Sequence, residues 1–238
     1  MTRFVLVHGA WHGPWAWDRI TPLLHEAAAH THVPELTAAS GADLSTHVDQ
    51  VLAALDGLVH GEDARRADDV VLVGHSYAGL VVRQAADLRP HLVDHVILVD
   101  GWAGPDGTGM FDLAPPAFVT AIRTAARPGG DGPVIPPPPP AAFGITDPVD
   151  AELLAGSLRP HPLRTFTDRT RLIGAVDRIP GTAIYCRPQT YPFDRLAADI
   201  GYAAVGLDGP HDVMLTHPAR LARLLIQICA AQSSRNKG

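Results

Sequence analysis

Residues 70–80 read VVLVGHSYAGL, an apolar run that breaks at Gly74 into a turn of small residues and then resumes. This pattern predicts a strand, a tight turn and a helix. A serine at such a turn, here Ser76, sits in a strained backbone conformation with its hydroxyl pointing out of the sheet. The stretch is therefore typical of a nucleophile elbow. The strict motif is Gly-x-Ser-x-Gly, whereas this chain has Ala78 at the last position, followed by Gly79. The alternative is a serine that only caps a helix.

The composition is that of a globular domain without a strong charge. The chain has 238 residues, of which 46% are hydrophobic and 18% are charged, and its formal net charge is −6. This length suffices for one domain with a sizeable core. The negative charge argues against nucleic acid or an anionic membrane as a partner, and no apolar stretch approaches the roughly 20 residues of a membrane-spanning helix. We expect a small-molecule substrate, no nucleic acid and no membrane, and leave open a homodimer.

Cysteine and lysine are both scarce. Cys186 and Cys229 are too few for a disulfide framework, and no export signal is recognised before the apolar residues that begin at Phe4. We therefore expect the protein in the cytoplasm. The sole lysine, Lys237, lies in a polar tail at residues 233–238, which nearly excludes Schiff-base chemistry because that amine has no pocket to lower its pKa.

Strand and helix patterns alternate along most of the chain. The predicted strands are 4–7, 33–36, 70–74, 94–100, 182–186 and 202–207, with a charged turn at 61–69 before the third. Such alternation predicts an α/β fold with a mostly parallel sheet and helices on both faces. Ligands bind beyond the carboxyl ends of the strands in such sheets. Gly9, Ser76 and Asp100 fall at that edge.

The alternation is interrupted between residues 101 and 169. This segment contains glycine-rich loops, five consecutive prolines at 136–140 and short helix patterns near 115–126 and 148–158. The proline run is typical of a rigid spacer. We predict a core of residues 1–100 and 170–232, a cap insertion at 101–169, and the polar tail.

Two loops at the predicted edge carry further candidates. Residues 8–17 read HGAWHGPWAW, and glycine there would leave backbone N–H groups free to donate to a developing oxyanion. His8 and His12 are four apart, but the glycines and proline disfavour a helix and hence a metal site. His211 follows the last predicted strand and is our candidate general base. A serine followed in sequence by a histidine at one edge indicates acyl transfer.

Three motifs together resemble the α/β-hydrolase family, in particular its small methylesterase and hydroxynitrile-lyase-like branch: HGAWHGPW at 8–15, GHSYAG at 74–79 and GPHDVML at 209–215. The resemblance implies an α/β-hydrolase fold with a small helical cap, no metal and no cofactor. It implies Ser76 as nucleophile, His211 as base, and the backbone N–H groups of Ala10 and Tyr77 as the oxyanion hole. The lyases of that branch carry a lysine directly after the histidine, where this chain has Asp212.

The acid of the triad departs from the family pattern. In the family it usually follows the penultimate strand, but RPQT at 187–190 contains no carboxylate. Asp100, at the end of the strand next to the nucleophile strand, is one candidate. Asp194 is the other, although an acidic residue there also suits the first turn of a helix. Both alternatives stay open at the sequence level, because triad roles depend on geometry.

The sequence predicts a serine hydrolase, a carboxylesterase that forms an acyl-enzyme. Aromatic residues in the oxyanion loop and the insertion favour a small hydrophobic or aromatic ester, and we name Trp11, His75 and Trp102 as pocket residues. One alternative is a lyase, decarboxylase or cyclase of a natural-product pathway that uses His211 as base. The other is a catalytically silent small-molecule binding protein.

Overall fold

A six-stranded parallel sheet forms the centre of the molecule, in the order β2-β1-β3-β4-β7-β8. The computed structural model describes residues 1–60 and 69–235. In chain order the strands are β1 (Thr2–Val7), β2 (His30–His32), β3 (Asp69–His75), β4 (His95–Val99), β5 (Val134–Ile135), β6 (His161–Pro162), β7 (Gly181–Arg187) and β8 (Ala203–Asp208). The α/β-hydrolase fold expected from the sequence is confirmed.

Helices connect these strands. They are α1 (Thr21–Glu26), α2 (Leu44–His60), α3 (Ala78–Leu88), α4 (Met110–Leu113), α5 (Pro116–Ala125), α6 (Pro148–Ser157), α7 (Arg164–Thr167), α8 (Phe193–Asp199), α9 (Val213–Thr216) and α10 (Pro218–Arg235). Short 3-10 helices occupy Pro14–Trp17, Pro140–Phe143 and Val176–Arg178. Among the described helices, none is both long and apolar enough to cross a membrane.

The central strands are apolar because both of their faces are covered. Every residue of β4 is buried, as are the last five residues of β3, which is the pattern of strands inside a parallel sheet. The edge strands β2 and β8 are largely exposed. The register pairs Val7 with Gly74 and His75 with Val99. The residues that follow β1, β3 and β4 therefore emerge side by side.

The segment from 101 to 169 contains α4 to α7 and a two-stranded antiparallel pair, β5 with β6. The five prolines at 136–140 lie between β5 and the 3-10 helix that begins at Pro140. This segment contacts the loop after β1, since the Arg159 N–H donates to the Trp11 carbonyl at 2.9 Å. Its role as a cap stays a prediction.

The structure differs from the sequence-based boundaries in three places. The predicted strand at 33–36 is wrong: β2 ends at His32, and Pro34 has no N–H to donate to a ladder. The sequence pattern also predicts a helix from about Trp17 to Ala29, but α1 covers only Thr21–Glu26. Helix α10 continues to Arg235, into the predicted tail. Residues 236–238 of that tail, and the charged turn apart from Asp69, lie outside the described residues.

Candidate active site

Ser76 occupies a strained turn between β3 and α3. Its φ is +52°, a left-handed conformation that non-glycine residues rarely adopt and that occurs preferentially at functional sites. The turn is held by the Ser76 N–H, which donates to the Val99 carbonyl at 3.0 Å. A Cβ on Gly74 would lie 2.7 Å from a methyl carbon of Val82, so only glycine lets the strand and the helix approach this closely. Ala78 stands at the last position of the motif and is fully buried.

The loop after β1 lies against this turn. A Cβ on Gly9 would come within 2.9 Å of His75 Nδ1 and 3.0 Å of Ser76 Cβ, so glycine is required for the contact. The backbone N–H groups of Ala10 and Tyr77 make no hydrogen bond to any of the described residues. Two unpaired donors beside a strained serine are what an oxyanion hole needs.

Asp100 lies directly after β4 and contacts His211, which follows β8. The N–H at Nδ1 of His211 donates to Asp100 Oδ2 at 3.0 Å. The other carboxylate oxygen, Oδ1, accepts from the Cys186 N–H at the end of β7 at 2.7 Å. Asp100 is 1% exposed and has a φ of +43°. Both of its oxygens are engaged, so the carboxylate is held in one orientation toward the imidazole.

The surroundings of His211 favour its protonated form. Burial alone would lower its pKa, but the hydrogen bond and charge of Asp100, together with the charge of Asp212, raise the pKa above the ordinary value of 6.5. A histidine of this kind takes up a proton readily in a transition state. The contact with Asp100 occupies Nδ1 and leaves Nε2 for a reacting proton.

The side chains of Ser76 and His211 make no direct hydrogen bond among the described contacts, although they flank the same edge of the sheet. Catalytic hydrogen bonds are often long before substrate binds. Asp194 is placed elsewhere. It lies in the first turn of α8 and accepts from the neighbouring Arg195 N–H at 2.8 Å. The structure thus brings Asp100, and not Asp194, to His211.

The loop after β1 is held by the segment above it. Trp11 has a φ of +66°, and its indole N–H donates to the Ile135 carbonyl at 3.1 Å. The backbone N–H of Arg159, in the same 101–169 segment, donates to the Trp11 carbonyl. Three of the four non-glycine residues with positive φ among the described residues, Trp11, Ser76 and Asp100, therefore belong to this site.

Aromatic rings form a continuous series from Trp11 to Trp102. Trp11 contacts Phe166 at a centroid distance of 5.7 Å, Phe166 contacts Phe118 at 6.3 Å, and Phe118 contacts Trp102 at 6.1 Å. Trp102 also packs on Tyr191 at 5.0 Å. Trp102 is 1% exposed and His75 is fully buried. The roles of Trp11, His75 and Trp102 as pocket residues stay predictions.

A buried polar cluster behind the site was not predicted from the sequence. His75 donates from Nε2 to the His211 carbonyl at 3.2 Å, and His12 contacts Asp212 at 2.9 Å. Burial, with the charge of His211, lowers the pKa of His75 well below its ordinary value. Burial alone would raise the pKa of Asp212, but the charge and hydrogen bond of His12 lower it. The sequence signals for this cluster were the second histidine of residues 8–13, His12, and the acidic residue directly after the candidate base, Asp212.

Three of these groups lie close enough to be considered as metal ligands. Among the described residues, ligand atoms of His75, His211 and Asp212 lie within 4.8 Å of one another. All three take part in hydrogen bonds of the site, and we assign them to that network. The absence of a metal and of a cofactor stays a prediction.

Comparison with known proteins places these features in one family. The alpha/beta hydrolase family matches residues 4–224. The carbendazim hydrolyzing esterase of Nocardioides sp. (strain SG-4G) is 34% identical over 126 residues, covering 50% of this chain and 49% of that protein. Methylesterase 9 of Arabidopsis thaliana is 33% identical over 124 residues, covering 50% and 45%. The alignments thus span about half the length of these relatives.

The solved structures agree on the fold. An extracellular alpha/beta-hydrolase from a Paenibacillus species superposes with a TM-score of 0.83 and 18% sequence identity, covering 95% of this chain and 98% of that one. At this identity the likeness concerns the fold. With the family match over nearly the whole chain, the conclusion is direct: the chain belongs to the alpha/beta hydrolase family.

Proposed function

We propose that the protein is a serine carboxylesterase that cleaves small hydrophobic or aromatic esters through an acyl-enzyme. The observation that carries the proposal is the 3.0 Å hydrogen bond between Asp100 Oδ2 and His211 Nδ1. It completes the set of nucleophile, base and acid at the edge where Ser76 emerges. The esterase names of two relatives support the reaction class.

The reaction uses each group in turn. Ser76 Oγ attacks the ester carbonyl carbon while His211 Nε2 takes the hydroxyl proton, and Asp100 stabilises the imidazolium that forms. The carbonyl oxygen becomes an oxyanion that accepts from the Ala10 and Tyr77 N–H groups. The bond to the leaving alcohol then breaks as His211 returns the proton to it. Water, deprotonated by His211, then attacks the acyl carbon, the bond to Ser76 Oγ breaks, and His211 returns the proton to Oγ as the acid is released.

The proposed substrate class is supported by the series of aromatic rings from Trp11 to Trp102. Aromatic side chains that line a pocket bind apolar or aromatic groups. Two free, buried cysteines support a cytoplasmic setting, and the partner in this proposal is a small molecule. The lyase alternative is disfavoured because Asp212, engaged by His12, stands where the related lyases have a lysine. The silent binding protein is disfavoured because an acid is present beside His211.

The proposal is tested by rates on nitrophenyl esters of graded acyl size. We expect turnover by the wild-type protein and its loss on Ser76→Ala, by on the order of a millionfold. The matched control is Ser45→Ala, since Ser45 is an exposed serine that bonds Asp43, and it should leave the rate unchanged. Ester hydrolysis that survives Ser76→Ala would contradict the proposal.

A further inference from the structure

We propose that His12 and Asp212 are positioning residues that hold the oxyanion loop against the base loop through a buried ion pair. The oxyanion loop is defined here as residues 8–13 and the base loop as residues 209–212. The inference rests on the proposed esterase function and extends it to two residues with no assigned part in the reaction. They are 200 positions apart in the chain.

The hydrogen-bond partners of the His12 ring indicate that both of its nitrogens donate. Its Nδ1 lies 2.8 Å from the Ala10 carbonyl oxygen and its Nε2 lies 2.9 Å from Asp212 Oδ2. Carbonyl and carboxylate oxygens accept hydrogen bonds, so both ring nitrogens must donate. A ring that donates from both nitrogens is an imidazolium. The contact is therefore a charge-assisted hydrogen bond to a carboxylate.

The side chains of His12 and Asp212 are both shielded from water. The His12 side chain is 1% exposed and that of Asp212 is fully buried. The His12 ring stacks on Trp15 at 5.3 Å and meets the edge of Phe143 at 5.2 Å. Water and salt screen a buried ion pair much less than a surface pair. The relative orientation of the two side chains is therefore held more strictly here.

The two residues of the pair contact two different parts of the proposed site, the oxyanion loop and the base loop. His12 donates to the carbonyl of Ala10, in the peptide unit directly after the one that carries the proposed oxyanion donor, and so restrains Ala10 from its C-terminal side. Asp212 is the residue after His211, so the same contact fixes the backbone that carries the base. A shift of about 1 Å between donor and base can cost on the order of a hundredfold in rate.

Asp212 also contributes charge to the base. The titratable and charged groups that face it are His12, His75, His211 and Cys186. Asp100 faces His211 from the other side. Its Oδ1 has no hydrogen-bond partner among the described residues and lies 3.8 Å from His75 Nε2. Removal of this anion should lower the pKa of His211 and move the acidic limb of the rate profile to lower pH.

The experiment compares Asp212→Asn, His12→Gln and the double variant with the wild type on p-nitrophenyl acetate, per titrated active site. We expect each single variant to lower kcat by about ten- to a hundredfold while KM changes little. The double variant should have about the same kcat as the less active of the two single variants, because the two residues act as one unit. Asp212→Asn should also show the shifted pH limb, which a merely structural role would not produce.

Asp208→Asn is the matched control, since Asp208 lies four residues earlier and forms an exposed pair with Arg187. A folded Asp212→Asn with the kcat and pH limb of this control would overturn the inference. Where a variant does not fold, the ring-nitrogen chemical shifts of His12 in the wild type decide: hydrogen bonds donated by both ring nitrogens are expected, and a ring with one nitrogen that carries no proton would overturn the inference. Absence of Ser76-dependent turnover in the wild type would instead refute the proposed function alone.

Discussion

Asp100 and His211 are 111 residues apart in the chain, and the Asp100 carboxylate accepts a hydrogen bond from the His211 imidazole at 3.0 Å. The other carboxylate oxygen accepts from the Cys186 N–H, at the strand end after which the family's acid usually lies. The acid thus reaches the same imidazole from a neighbouring strand.

The first prediction concerns that acid. Asp100→Asn should leave the fold intact and lower turnover by about ten-thousandfold, because the imidazole loses the partner that fixes its tautomer and stabilises its cation. Turnover of a small activated ester, measured with melting temperatures, checks this.

Asp194→Asn is the control for this prediction. Asp194 lies at the start of α8, and its only hydrogen bond among the described residues is with the N–H of its neighbour Arg195. Its loss should therefore cost about 0.3–1 kcal/mol of stability and little turnover. If the two variants exchanged these outcomes, Asp194 would be the acid. Full turnover in both would mean that neither carboxylate serves the reaction.

The second prediction is the pH dependence of kcat/KM. His211 must be neutral to take the serine proton, and Asp100 with Asp212 raises its pKa above 6.5 despite burial. The rate should therefore fall, as the pH decreases, through a pKa above the ordinary histidine value. Initial rates across the neutral range check it, and an acidic limb below 6.5 would contradict the raised pKa of His211.

The third prediction concerns stability in acid. Burial lowers the pKa of His8 to about 3 and that of His95 to about 4, and it also lowers the pKa of His47, His75 and His161. Below about pH 6.5 these histidines bind protons in the unfolded chain but remain neutral in the folded protein. The free energy of unfolding therefore falls, as the pH decreases, by up to about 1.4 kcal/mol per pH unit for each such histidine. Urea unfolding between about pH 7 and pH 5 measures the slope.

A pair of variants isolates one of these groups. His95 bonds Thr182 far from the site, and His95→Gln, which cannot be protonated, should make the loss of stability in acid less steep. His91 is exposed, and His91→Gln should leave the slope unchanged. An equal slope in all three proteins would contradict the assignment of acid sensitivity to buried histidines.

The fourth prediction concerns the series of aromatic rings between Trp11 and Trp102. Phe118 lies between Phe166 and Trp102, and we expect Phe118→Ala to weaken inhibition by naphthoic acid by about three- to tenfold, because an aromatic contact is lost. Leu153→Ala removes an exposed apolar side chain of α6 and serves as control. Inhibition that is equally strong in both variants would place the aromatic ligand elsewhere.

Sequence patterns were informative wherever the relevant residues are near one another in the chain. Ser76 was predicted because the elbow needs small residues within a few positions. The edge location of His211 was predicted because a parallel sheet gathers the residues that follow its strands. Strand β2 was misplaced by a few residues, since at the sheet edge exposed polar residues form a strand without an apolar signal.

Contacts between residues that are far apart in the chain could not be predicted from the sequence. Two aspartates remained candidates for the acid because either could reach His211 until the register of β4 and the path after β8 were known. The contact between His12 and Asp212 spans 200 positions, and neither residue forms a local motif with the other. Only the folded chain shows that both ring nitrogens of His12 face acceptors.

The measurement that tests the central claim most directly is the mass of the intact protein after rapid quenching with an activated ester. The account predicts a covalent acyl adduct that maps to the peptide containing Ser76 and that is absent from Ser76→Ala. Ester turnover without any adduct on Ser76, or an adduct that persists in Ser76→Ala, would contradict it.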